Sequence, residues 1–147
     1  MLRLLFLFLL AGSVQLVAFA QAKSVAAEPP AGHITSSAAY AEIALRRTEL
    51  MSDLAALLQD YTDDFPRVKE LKIGIEVLRR ETLRLAVLKP AEAARLTSAL
   101  GKLIVRKADV EVEFWRLQQS YSDGHPDVKR AKKRVEIFEN AIKEILG

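Results

Sequence analysis

The sequence predicts an all-α protein: two tandem coiled-coil-like helical hairpins that combine into an up-down-up-down four-helix bundle. Three observations carry this. The phrase Tyr61-Thr62-Asp63-Asp64-Phe65-Pro66-Arg67-Val68-Lys69 returns as Tyr121-Ser122-Asp123-Gly124-His125-Pro126-Asp127-Val128-Lys129, offset by 60 residues together with its surroundings, so the chain contains a duplicated unit. On either side of each phrase, apolar residues recur at alternating spacings of three and four, the seam of one helix packing on another. Each phrase is also rich in turn formers and leads into a proline, as the bend of a helical hairpin should.

In chain order, residues 1–20 come first. Arg3 supplies a positive charge, Leu4 to Leu10 is an unbroken apolar run, and Ala18-Phe19-Ala20 has the small-x-small form of a cleavage site, so the segment reads as a secretory signal peptide. Export to the periplasm or beyond the cell is the localisation this implies, with no membrane span left once the leader is cut. No cysteine follows the apolar run, which excludes a lipid-modified amino terminus, and none occurs anywhere, so no disulfide staples the fold. Residues 21–36 are rich in Ala, Ser, Pro and Gly without apolar periodicity and read as a flexible tether containing an isolated His33.

The first hairpin spans 37–88. Its seam runs Tyr40, Ile43, Arg47, Leu50, Leu54, Leu57 and Tyr61, then, after the bend, Val68, Leu71, Ile75, Leu78, Thr82 and Leu85. The second hairpin, 89–147, repeats this with Leu96, Leu100, Leu103, Lys107, Val110, Phe114, Leu117 and Tyr121, then Val128, Ala131, Val135, Phe138, Ile142 and Ile145. Lys89-Pro90 joins the hairpins almost without linker, and Pro90 is placed to start the third helix. Met51, Leu58, Val77, Val105, Val112, Trp115, Ile137 and Ala141 lie outside the narrow seam, and either a bundle or a second protomer must cover them.

One seam position is polar in both copies: Arg47 and Lys107. Folded about the bends, Arg47 would face Thr82 and Lys107 would face Ile142. Such a side chain lays its stem along the seam and sends its head to water, or else it fixes the register of the pair; the pattern alone leaves both open.

Within the bends, Thr62 or Ser122 and Asp63 or Asp123 are turn and cap formers, and Pro66 and Pro126 suit the first position of a returning helix. Phe65 and His125, preceding the prolines, are pushed toward extended geometry. Gly124 relaxes the second bend where Asp64 stands in the first, and Tyr61 and Tyr121 are expected as lids over Val68 and Val128.

The formal net charge of +3 falls to +2 when Arg3 leaves with the leader, so no strongly basic surface results. The densest basic run, Lys129 to Arg134, alternates with Val128, Ala131 and Val135 as a solvated helix face does, which argues against nucleic-acid binding. His125 with Asp123 and Asp127 forms a weak candidate metal site near the second bend, although Phe65 at the equivalent place makes a packed ring the plainer expectation. No nucleophile-and-base pair, glycine-rich phosphate loop or paired-histidine motif is present, so neither a catalytic site nor a cofactor site is expected.

The phrase from Tyr121 to Lys129, with Leu117 before it and Val135 and Phe138 after it, resembles the periplasmic coiled-coil segment of the polysaccharide copolymerases, the chain-length determinant proteins. The likeness covers residues 107–145 and, less closely, 47–85, where Phe65 replaces the histidine. It implies an envelope helical hairpin in an exopolysaccharide setting. The family's two transmembrane helices and its cytoplasmic kinase part have no counterpart here, so a complete copolymerase is not expected. Two function classes follow: a non-enzymatic envelope module that engages another protein or a second copy of itself, and a small-ligand or metal-binding periplasmic sensor using the second bend.

Overall fold

The computed structural model of the protein describes Gly32 and residues 34–147. The leader, most of the tether and His33 lie outside the described residues. Four long helices follow one another: α1 (Ala38–Asp60), α2 (Pro66–Ala86), α3 (Ser98–Ser120) and α4 (Pro126–Leu146), with a short 3₁₀ turn (Pro90–Arg95) between α2 and α3. There is no strand among the described residues. The all-helical class and the four helices of the sequence reading stand.

Each start has a local cause. Ser37 caps α1, its hydroxyl accepting the Tyr40 N–H at 3.2 Å, and Thr97 caps α3 by accepting the Leu100 N–H at 3.3 Å. Pro66 and Pro126 open α2 and α4 at positions that need no N–H. Pro90 behaves differently from expectation. It starts the 3₁₀ turn, in which the Lys89 N–H donates to the Glu92 carboxylate at 2.9 Å, and α3 begins eight residues later. A proline fits the first position of either helix type, and here Thr97 offers α3 a hydroxyl cap that Lys89 cannot. The tether also ends earlier than read: Ile34 is fully buried in the core, held by a turn in which Ser37 Oγ donates to the Ile34 carbonyl at 2.7 Å. A lone isoleucine in a polar stretch gives no periodic signal, so its burial is a tertiary effect.

The contacts between helices set their directions. Arg80 meets Glu111 and Lys107 meets Glu81, so α2 and α3 are antiparallel; Arg134 meets Glu113, so α3 and α4 are too. Gly101 lies against Ala39, and Arg46 reaches Asp109, so α1 and α3 run parallel. The hairpins therefore lie side by side in the same sense, with both bends at one end. α3 is the central helix, packing on α1, α2 and α4, while α1 packs on α2 and α3.

The core follows the seam closely on its inner members. Ile43, Leu50, Val68, Leu71, Leu78, Leu85, Leu100, Val110, Val128, Ala131 and Ile142 are all buried, each large aliphatic group contributing about 1.5–3 kcal/mol on leaving water. The two inner helices carry a second buried face. Gly74, Val77 and Glu81 on α2, and Gly101, Ile104 and Ala108 on α3, join one hairpin to the other. On α1 and α3 the buried positions stop at Leu50 and Val110, so the shared core occupies the half of the bundle away from the bends.

Candidate functional site

The bends repeat one geometry twice. Tyr61 and Tyr121 end their helices in extended backbone, each N–H still donating to the carbonyl four residues back at 2.9 Å. The turn closes when the N–H of Phe65 donates to the Thr62 carbonyl at 3.1 Å, and that of His125 to the Ser122 carbonyl at 2.9 Å. No residue of either bend has positive φ, so Gly124 supplies no conformation that Asp64 could not. The caps of the returning helices are Phe65 and His125 rather than the expected Thr, Ser or Asp. Proline at N1 removes one orphan donor, which lessens what a cap must satisfy.

Val68 and Val128 are buried as expected, but the tyrosines lie elsewhere than on top of them alone. Tyr61 stacks on Phe65 with ring centroids 4.1 Å apart, and Tyr121 stacks on His125 at 4.2 Å; both tyrosines stay 45 % exposed. Extended backbone before the proline turns the ring at that position toward the tyrosine. A planar side chain is thus what the position uses, and phenyl and imidazole both serve.

Two of the metal candidates come close, His125 Nδ1 lying 3.7 Å from Asp127 Oδ2. His125 Nδ1 accepts the Asp127 N–H at 3.2 Å, and Asp123 accepts from Gln118 Nε2 at 3.3 Å. Among the described residues, no group of three His, Asp or Glu side chains could hold a metal ion. In the first bend the acids serve as ion-pair partners, Asp63 with Lys72 at 2.8 Å and Asp64 with Lys69 at 3.2 Å.

The polar seam layer departs most from expectation. Arg47 is half-buried on α1 as a stem-along-the-seam residue should be, whereas Lys107 is buried at 4 % exposure among three carboxylates from three helices. Its Nζ lies 2.6 Å from Glu81 Oε1 on α2, 3.0 Å from Glu111 Oε1 on α3 and 2.8 Å from Glu139 Oε2 on α4. Arg84 holds Glu139 at 2.8 Å from the other side, and Arg80 holds Glu111. Lys107 therefore faces a charge network, not Ile142 and water. The hairpin-by-hairpin pairing could not show the whole network, because Glu81 arrives from the other hairpin; Glu111, four residues on, and Glu139, one turn from Ile142, were the signs within the second hairpin.

Burial disfavours the Lys107 ammonium, but hydrogen bonds from it to Glu139 and Glu81 outweigh that, and its pKa rises above 10.5. For Glu139 burial pushes upward, yet Lys107 first and Arg84 second pull it down from 4.5 to about 2. A depressed carboxyl stabilises the fold above its unfolded pKa and loses that contribution as pH falls toward the folded one. Melting temperature is accordingly expected to hold from neutrality to the ordinary carboxylate range, then fall between 4.5 and about 2, a fall that Glu139→Gln should shrink in a calorimetric pH series.

Two grooves run between the helices, the larger of them beside this network. One, of about 240 Å³ between α1, α2 and α3, has an aliphatic floor that includes Leu50, Gly74 and Val112 and a rim of Arg46, Arg67 and Arg116 with Glu70, Asp109 and Glu113. The other, about 470 Å³ between α2, α3 and α4, is lined by Ile73, Val77, Phe114, Trp115 and Val135, with Glu76, Arg80 and Glu111. Neither lining contains Ser, Cys or His.

Comparison with known proteins finds no match to a family model, a curated protein or a solved structure. No described helix is long and apolar enough to cross a membrane.

The apolar residues outside the seam divide into two groups. Val77 is buried and Val105, Val112, Trp115 and Ala141 are partly covered, but Met51, Leu58 and Ile137 remain 53 %, 43 % and 58 % exposed. These three sit on the outer helices α1 and α4.

Proposed function

We propose that this chain is an exported, non-enzymatic helical protein that acts as a structural or protein-interaction module in the cell envelope. The observation that carries the reading is the exposure of Met51, Leu58 and Ile137 after all four helices have packed: large apolar groups left in water on outer helices favour a partner that covers them. The leader-like residues 1–20 support export as the setting. The likeness of residues 107–145 to the coiled coil of polysaccharide copolymerases directs the search for a partner to the polysaccharide machinery of the envelope.

A photo-crosslinking residue placed in living cells at Met51 or Ile137, with the exposed α3 position Lys102 as control, tests this. Adducts with an envelope protein, or with the chain itself, at the first two positions and not at the third are expected. Uncrosslinked chain at all positions, or recovery of the protein in the cytoplasm with its leader intact, overturns the reading.

A further inference from the structure

The outer helices α1 and α4 each pack inward and form no helix pair with one another, and they differ sharply in charge. From Thr48 to the first bend, α1 and its loop carry Glu49, Asp53, Asp60, Asp63 and Asp64 without a single Lys or Arg. From the second bend to Arg134, the loop and the start of α4 carry five cations between Lys129 and Arg134 against two acids, Asp123 and Asp127. Some of these charges are neutralised within the chain, as Arg134 is by Glu113 and Asp63 is by Lys72. Asp53 and Asp60 on α1, and Lys129 and Lys132 on α4, are exposed and meet no opposite charge within the described residues.

Height matters as much as sign. Both bends lie at the same end, where α1 finishes and α4 begins, so the acidic and basic halves occupy the same level of the bundle. At about 1.5 Å per residue, Asp53 and Lys132 both stand on the order of 10 Å from the bends, and Met51 and Ile137 both about 15 Å. An unshifted neighbour would therefore set acid beside base, with the two helices antiparallel like every hairpin pair in the fold; Met51, two residues from Asp53, lies on the opposite side of α1 and outside this contact.

We infer that the partner of this module is a second copy of the same chain, the basic half of α4 in one molecule docking on the acidic half of α1 in the next. The inference rests on the proposed role as an interaction module and names its occupant. The contact joins two different surfaces, so each copy keeps one free surface of each kind, and assembly continues beyond a dimer into a ring or a filament.

Sedimentation velocity of the full-length protein over a concentration series tests this. Average mass is expected to rise past that of a dimer, and added salt to oppose the rise, because exposed charges are screened. Asp53→Lys with Asp60→Lys should move the association midpoint to about tenfold higher concentration or more. Adding Lys129→Glu and Lys132→Glu in the same chain should restore it. All four residues are exposed, and an unchanged circular dichroism melt confirms that each variant folds. A monomer at every concentration, or association indifferent to the first pair and unrestored by the second, overturns the inference. A monomer that still crosslinks through Met51 to another envelope protein would sink self-assembly while leaving the interaction role standing; absence of both would sink the two together.

Discussion

Lys107→Met is expected to destabilise the fold by about 3–5 kcal/mol, the usual cost of removing one member of a buried ion pair, and to lower the melting temperature by on the order of 10 °C or more. The reason is what remains. Glu139 keeps Arg84 at 2.8 Å and Glu111 keeps Arg80, but Glu81, at 3 % exposure, is left with Arg84 at 3.6 Å and Arg80 at 4.0 Å as its nearest cations. A buried carboxylate without a close partner is the costly species. Lys107→Met combined with Glu81→Leu should therefore recover a substantial part of the loss, since well-packed apolar groups commonly replace a buried ion pair with little penalty. Urea unfolding followed by circular dichroism reads both variants. If the double variant is no better than the single one, packing of the lysine stem rather than charge is what holds the site.

The contrast between Arg47 and Lys107 shows how far the sequence could be read. Seam periodicity is a local property, and it located the helices, the bends and the inner core because each hairpin's packing depends on neighbours close in sequence. The two basic seam positions looked equivalent for the same reason. They differ because α1 is an outer helix and α3 the central one, a distinction made by contacts between hairpins. The tyrosines teach a smaller lesson: repetition of Tyr61 and Tyr121 marked them as structural, but the ring that each one stacks on depends on backbone direction at Phe65 and His125. Gly101 was legible in principle. A glycine inside a strongly periodic helix costs about 1 kcal/mol relative to alanine, so its presence at a seam-adjacent position signals close approach of another backbone.

That close approach sets up the second large effect. Gly101→Ala is expected to destabilise by about 1–3 kcal/mol, as overpacking does, although helix propensity alone would stabilise by about 1 kcal/mol. A Cβ at Gly101 would lie 2.8 Å from the Ala39 Cα, 2.8 Å from its carbonyl oxygen and 2.8 Å from the Glu42 Cβ. Two of these are backbone atoms, which cannot swing aside as a side-chain tip can. Shifting α1 would also strain the Ala39 N–H bond to the Leu96 carbonyl, 3.1 Å, and the bond from Ser98 Oγ to Glu42, 2.7 Å. Gly124→Ala is the matched control. Its new methyl would meet only Ser122 Oγ at 3.9 Å, so it should be neutral or stabilise by a few tenths of a kcal/mol through the unfolded chain. Parallel thermal melts decide between them, and a more stable Gly101→Ala would mean that α1 and α3 do not approach as described. Gly101→Leu should go further, prising hairpin from hairpin while each keeps its own seam. Its melt is then expected to lose cooperativity before it loses helical signal, since what fails is the junction between two duplicated units rather than either unit.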